Sequence, residues 1–205
     1  MPTRISKALL LFAAFNLGLF AAPGETQHYR WHDDGFFSSM DIEMRGTVEF
    51  TDNDSDIKTI SNDGYFRLEQ SSNGPARTYL VRPGSNGVER LYSVGGASKA
   101  LDADGRAWLA RVLPEVIRES AIGAPERVKR ILRQQGPGGV LAEVNKIRSD
   151  HSRRVYLENL LDYGSLNPEN LRESMRLGRK ISSDGEKASL LVTAAPHYQS
   201  AATRE

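Results

Sequence analysis

Lys-Ile-x-Ser-Asp occurs twice, at 146–150 and at 180–184, and an apolar-patterned run follows each copy. The two aspartates lie 184 − 150 = 34 residues apart. At that offset Leu141 pairs with Met175, Val144 with Gly178, Ile147 with Ile181, Tyr156 with Leu190 and Leu157 with Leu191. Each copy reads as one helix ending near the isoleucine and a second beginning after the Ser-Asp pair. There, small oxygen-bearing side chains accept the amide hydrogens that a helix start leaves without partners. Asn167-Pro168-Glu169 has the same logic: a cap, a pre-set φ and an acid near the positive helix end. A lone two-helix unit cannot bury its apolar face, so the spacing predicts stacked helical hairpins, α-solenoid-like (HEAT-like) pairs. Leu157 and Leu191 should then be equivalent core positions. The competing explanation is ordinary capping that coincides in spacing.

The half before the repeat has a different period. Met40, Ile42 and Met44 alternate with Asp41 and Glu43, and Val48 and Phe50 keep that parity after Gly46, which predicts one half-buried strand face. Turn signals recur at 52–55, 62–64, 73–75, 83–87 and 95–96, with short β-branched and aromatic runs between them. Asp63-Gly64 and Asn86-Gly87 are expected at two-residue hairpin turns. The expectation for 40–98 is an antiparallel β-meander of about five strands.

After Gly96, Ala107, Leu109, Val112, Leu113, Val116 and Ile117 fall on a helical stripe, with Asp102 or Asp104 as its cap and Pro114 as a kink. Residues 123–139 read as a short helix with Pro125 in its first turn and Gly136 after its last. The fold class is therefore α+β: an antiparallel meander, then a helical-hairpin region over 99–196. Residues 25–39 are expected to be a flexible N-terminal segment and 197–205 a disordered tail.

Arg4 and Lys7 precede the apolar run from Ala8 to Ala22, the layout of a secretory signal. The expected signal peptide is 1–24, cleaved after Ala21 or Gly24, and the expected location is periplasmic or extracellular. The alternative is a membrane anchor formed by residues 8–22, although Asn16 interrupts that run and it is short for a bilayer span. The chain has no cysteine, which removes disulfides, thiolate ligands and cysteine nucleophiles. Residues 25–100 have 8 basic and 12 acidic side chains and residues 101–205 have 17 and 14, a mild asymmetry that does not make a nucleic-acid footprint.

Chemistry-bearing clusters are sparse. The sequence lacks HExxH, GxGxxG, a Walker loop and Gly-x-Ser-x-Gly. His28 and His32, with Asp33 and Asp34 beside them, are the densest candidate for a divalent cation, against the simpler reading of solvated residues. Asp52, Asp54 and Asp56 open like a calcium loop, with Asp63 at the twelfth position. Ile57, however, stands where such a loop needs glycine, so a plain turn is expected. Arg127, Lys129, Arg130 and Arg133 crowd one helix, and the expectation is that they form the solvated side of a face packed through Val128, Ile131 and Leu132. His151 has no basic or nucleophilic partner near it in sequence. No catalytic residue, cofactor or metal is expected.

"GTVEFTDNDSDIKTISNDGYFRLEQ", "GRAWLARVLPEVIR" and "ERVKRILRQQGPGGVLAEVNKIRSDHSRRVYLENLL", with the second Ser-Asp hairpin, resemble a group of uncharacterised bacterial exported proteins. A similar meander-plus-repeat region is appended to membrane metallopeptidases like the β-lactam sensors. The resemblance covers roughly 40–195 and implies an extracytoplasmic sensor or scaffold module. This chain lacks the metallopeptidase zinc motif, so peptidase activity is not carried over. The expectation is an exported, non-enzymatic module with a protein partner, no nucleic acid, and membrane contact only if the N-terminal segment is retained. The alternatives are an enzyme whose site is hidden by sequence distance and a membrane-tethered envelope protein.

Overall fold

The computed structural model describes residues 25–33, 38–71 and 74–202. The expected signal peptide and the end of the expected tail, 203–205, lie outside the described residues. Among the described residues eight strands precede five helices, so the fold is α+β with the sheet first.

Six strands form one antiparallel sheet: β1 (Thr26–Asp33), β2 (Ser38–Arg45), β5 (Tyr65–Ser71), β6 (Arg77–Gly84), β7 (Gly87–Val94) and β8 (Ala97–Lys99), in that spatial order. Between β2 and β5 the chain leaves the sheet to make a small ribbon from β3 (Val48–Phe50) and β4 (Ile57–Ile60). The strand expected to continue past Arg45 therefore ends there. Gly46 turns the chain at φ 74°, and a Cβ at that position would lie 2.1 Å from Ser61 Oγ, so only glycine fits. Residues 25–39 are not the expected flexible segment either, since β1 and the start of β2 occupy most of them. β1 sets Tyr29 opposite Ile42, and Tyr29 packs on the first core.

The turn expectations shift as well. Gly84 pairs with Gly87, so the tight β6–β7 turn is Ser85-Asn86 rather than Asn86-Gly87. Asp63-Gly64 links the ribbon to β5 instead of closing a hairpin, because β4 pairs with β3 and β5 with β2. The turn with positive φ at both central residues is Gly95-Gly96, at 59° and 82°, joining β7 to β8.

Helix α1 (Ala103–Ser120) starts at Asp102, whose carboxylate accepts the Gly105 amide at 2.9 Å. It lies on one sheet face. Trp108, Leu109, Leu113 and Ile117 join Met40, Ile42, Phe66, Leu68, Tyr79 and Val81 in the first core. Ala107, expected on the inward stripe, is exposed, and Trp108 turns inward instead. The opposite sheet face is charged and pairs across strands, as in Arg30–Asp41 and Arg82–Glu89.

The remaining helices are α2 (Ala124–Val144), α3 (Asp150–Tyr163), α4 (Pro168–Gly178) and α5 (Asp184–Ala202). α2 is two helical segments meeting at Gly136, whose φ of 66° and ψ of −170° break the helix where sequence places its end. α3 packs between α1 and α5, while α2 packs on α4, so the helices form two layers in alternation. The second core, including Val144, Ile147, Tyr156, Leu157, Leu160, Leu177 and Ile181, lies between the layers.

The 34-residue register is reproduced bond for bond at the loops. Asn145 donates to Leu141 O and Arg179 to Met175 O, each at 3.0 Å, while Ile147 and Ile181 donate to Val144 O and Gly178 O, each at 3.1 Å. Ser149 and Ser183 accept the amides of Ser152 and Glu186. One pairing fails. Leu157 is fully buried but Leu191 is 50% exposed, because no described element covers that side of α5. The expected tail is also ordered as far as helix: α5 continues to Ala202, and Tyr198 Oη donates to Leu171 O at 3.0 Å.

Candidate functional site

The hairpins are joined by carboxylates from neighbouring helices. Glu119, at the end of α1, accepts the amides of Arg148 and Ser149, at 3.1 and 2.9 Å. One repeat later Asp150 accepts the amides of Ser182 and Ser183, each at 2.9 Å. Hydrogen bonds from the Ser182 hydroxyl and the Ser183 amide hold the Asp150 carboxyl below its ordinary range. Arg153, buried among these loops, donates to both Ile147 O and Lys180 O. Loop amides that a helix start cannot satisfy thus find charged acceptors, and the stack is rigid at each junction.

On the α2–α4 layer this stack leaves an open groove of about 570 Å³. Leu141, Ala142 and Gly138 supply its apolar part, while Asn145, Glu169, Arg172 and Arg176 supply polar groups. Arg176 holds Glu173 through two bonds of 2.6 Å, which keeps that carboxyl below its usual range. Asn145 Oδ1 accepts from Lys180 Nζ at 2.7 Å. Glu169 and Arg172 are exposed and have no side-chain partner among the described residues. A small apolar patch thus lies beside one unpaired acid and one unpaired cation.

Behind α2, away from the groove, lies a buried ion network. Asp54 sits in the β3–β4 loop with φ 55°, a left-handed conformation that aspartate tolerates. Its carboxylate accepts from Arg127 Nε at 2.7 Å and from Arg130. Arg127 donates to Tyr156 Oη at 2.9 Å and pairs with Glu143 at 2.8 Å, and Arg118 pairs with Glu143 at 2.7 Å. Burial alone would raise the Glu143 pKa, but the Arg127 charge and the hydrogen bonds from both arginines outweigh it and bring it to about 2. Burial pushes the Tyr156 hydroxyl up, so it stays protonated. The network ties the ribbon to the hairpins.

The residues singled out from sequence mostly disperse. Asp52 is exposed, Asp54 turns to the arginines, and Asp56 takes Tyr79 and Arg90, the latter at 2.9 Å. The three carboxylates do not converge. His28 and His32 lie in β1, where residues four apart are about 13 Å apart rather than one helical turn. His28 is exposed opposite Glu43. The basic helix departs from expectation: Arg127 is buried and Arg130 half-buried on Asp54, while Lys129 pairs with Glu126 and Arg133 is exposed. His151 lies 3.4 Å from Glu186 on the surface of α3. Sequence reasoning missed Glu119, Glu143, Arg118 and the groove residues, and a charge count along one helix does not reveal partners from another.

Comparison with known proteins yields no matching family model, no matching curated protein and no matching solved structure.

Proposed function

We propose that the chain is an exported, non-catalytic interaction module that engages a protein partner through the α2–α4 groove. The observation that carries this is the pairing of a small apolar patch, Gly138 and Ala142 over buried Leu141, with the unpartnered Glu169 and Arg172 on a stack fixed by carboxylate clamps. A rigid helical scaffold with complementary charges at its rim favours recognition of another polypeptide. The perturbed ionisable groups support the non-catalytic reading, because they are paired with one another: Glu143 with Arg118 and Arg127 behind α2, and Glu173 with Arg176 in the groove. The N-terminal segment with Arg4 and Lys7 supports export.

A photo-crosslinking residue at Ala142 tests this in envelope extracts, with one at Thr78 on the open sheet face as the control. A defined protein adduct from position 142, absent from position 78 and lost with Arg172→Glu, is the expected result. Equal labelling from both positions sinks the proposal.

A further inference from the structure

Asn145 caps the end of α2 on the rim of the groove, and Lys180 fixes which way its carboxamide points. Lys180 Nζ donates to Asn145 Oδ1 at 2.7 Å. An ammonium can only donate, so it selects the carboxamide oxygen and leaves Nδ2, with its two N–H groups, for the groove that Asn145 lines. No described residue accepts from that nitrogen. Arg172 is a second donor on the same groove without an acceptor, whereas Arg176 is held on Glu173. Glu169, one turn before Arg172 on α4, is an acceptor without a donor. Between the two walls Gly138 has no side chain, and a Cβ placed there would have no neighbour within 4 Å.

These groups define what fits. The carbonyls inside a helix already accept from its own amides, so a helical partner has none to give Asn145 except in its last turn. An extended segment offers a free carbonyl at every residue and sets alternate side chains on one side. Resting on the groove as the partner site, we infer that its occupant is an extended polypeptide segment with one acidic and one basic side chain. A main-chain carbonyl accepts from Asn145 Nδ2, the acid meets Arg172 and the base meets Glu169. Glu169 and Arg172 are about 4.5 Å apart along the axis of α4, and same-side residues of an extended segment are about 6.6 Å apart. Long side chains span that difference, so the pattern read is acid-x-base. Gly138 lets the main chain of the segment approach α2 closely.

The test uses the full chain with the photo-crosslinking residue at Ala142 and biotinylated glycine–serine peptides as probes. Peptides containing Lys-x-Asp or Asp-x-Lys should label it several-fold more than Lys-x-Lys and Asp-x-Asp controls. A peptide locked as a helix, with the same two charges one turn apart, should label no better than the controls. Asn145→Asp keeps the Lys180 contact but has no N–H, and Asn145→Leu lacks the donor without adding charge. Both should lose labelling several-fold with unchanged helical dichroism. Equal labelling by all peptides, equal labelling by the helical one, or wild-type labelling of Asn145→Leu overturns the inference. The envelope adduct from position 142 separates this inference from the reading beneath it. An adduct that forms and survives Asn145→Leu leaves the groove as a partner site and sinks the extended segment held by Asn145. A wild-type chain that gives no adduct sinks the groove reading, and this inference falls with it.

Discussion

Glu143 shows how one carboxylate can be held by its surroundings. Two arginines, Arg118 and Arg127, approach it at 2.7 and 2.8 Å, and its pKa falls to about 2 against an ordinary 4.5. A folded-state pKa below the unfolded value gives stability that is present in full above the unfolded pKa. That stability is lost as pH falls through the folded one. The window is therefore pH 5 to 2, and the amount is on the order of 3 kcal/mol for a shift of this size. Denaturant melts across that window should show wild-type stability falling steeply. Glu143→Gln should be less stable at neutral pH but have a flatter profile. An unchanged slope in the variant would show that the arginines do not lower the Glu143 pKa.

At the scale of elements, the two hairpins share loops but not burial. Leu157→Ala should destabilise by about 2–5 kcal/mol, as for a filled core site, and Leu191→Ala by less than about 0.5 kcal/mol, because its side chain is half in water. Asp150→Ala should cost about 1–3 kcal/mol, since two loop amides and the Ser182 hydroxyl lose their acceptor, while Asp184→Ala should be nearly silent. Equal losses at the two leucines in thermal melts would contradict the burial asymmetry. What sequence could reveal here follows from range. Capping is local chemistry, so Ser149, Ser183, Ile147 and Ile181 are readable from spacing alone. Burial of Leu191 depends on what lies beyond α5, and no pattern within the helix encodes that. β1 escaped because a strand is defined by its partner, and Tyr29 becomes a core residue only opposite Ile42. The groove was illegible for the same reason: Ala142 and Arg172 meet through packing of α2 on α4. Asp54 and Arg127 are 73 positions apart, beyond any motif.

For the whole molecule, the sheet core and the helical core meet at α1 and at the Asp54 clamp. Trp108 is buried in the first core, so its fluorescence follows that core, whereas helical dichroism is dominated by α2 to α5. The two probes should give one coincident transition in the wild type. Asp54→Ala leaves Arg127 and Arg130 without their shared acceptor, a loss of about 3–5 kcal/mol for a broken buried pair. In that variant the fluorescence and dichroism midpoints should separate. Midpoints that stay together would mean that α1 alone couples the two cores. The carboxylate clamps also govern how such a chain lengthens. Glu119 and Asp150 do the same task one unit apart, so the seam between Ser183 and Asp184 is interchangeable with the seam between Ser149 and Asp150. A duplicate of residues 150–183 spliced at that seam would keep the loop clamp and present Arg154 and Glu158 to α5 as before, whereas a copy added past α5 would meet Ala188 and Val192 in place of Arg154 and Glu158. Growth by duplication is therefore admitted in the interior of the stack and refused at its end.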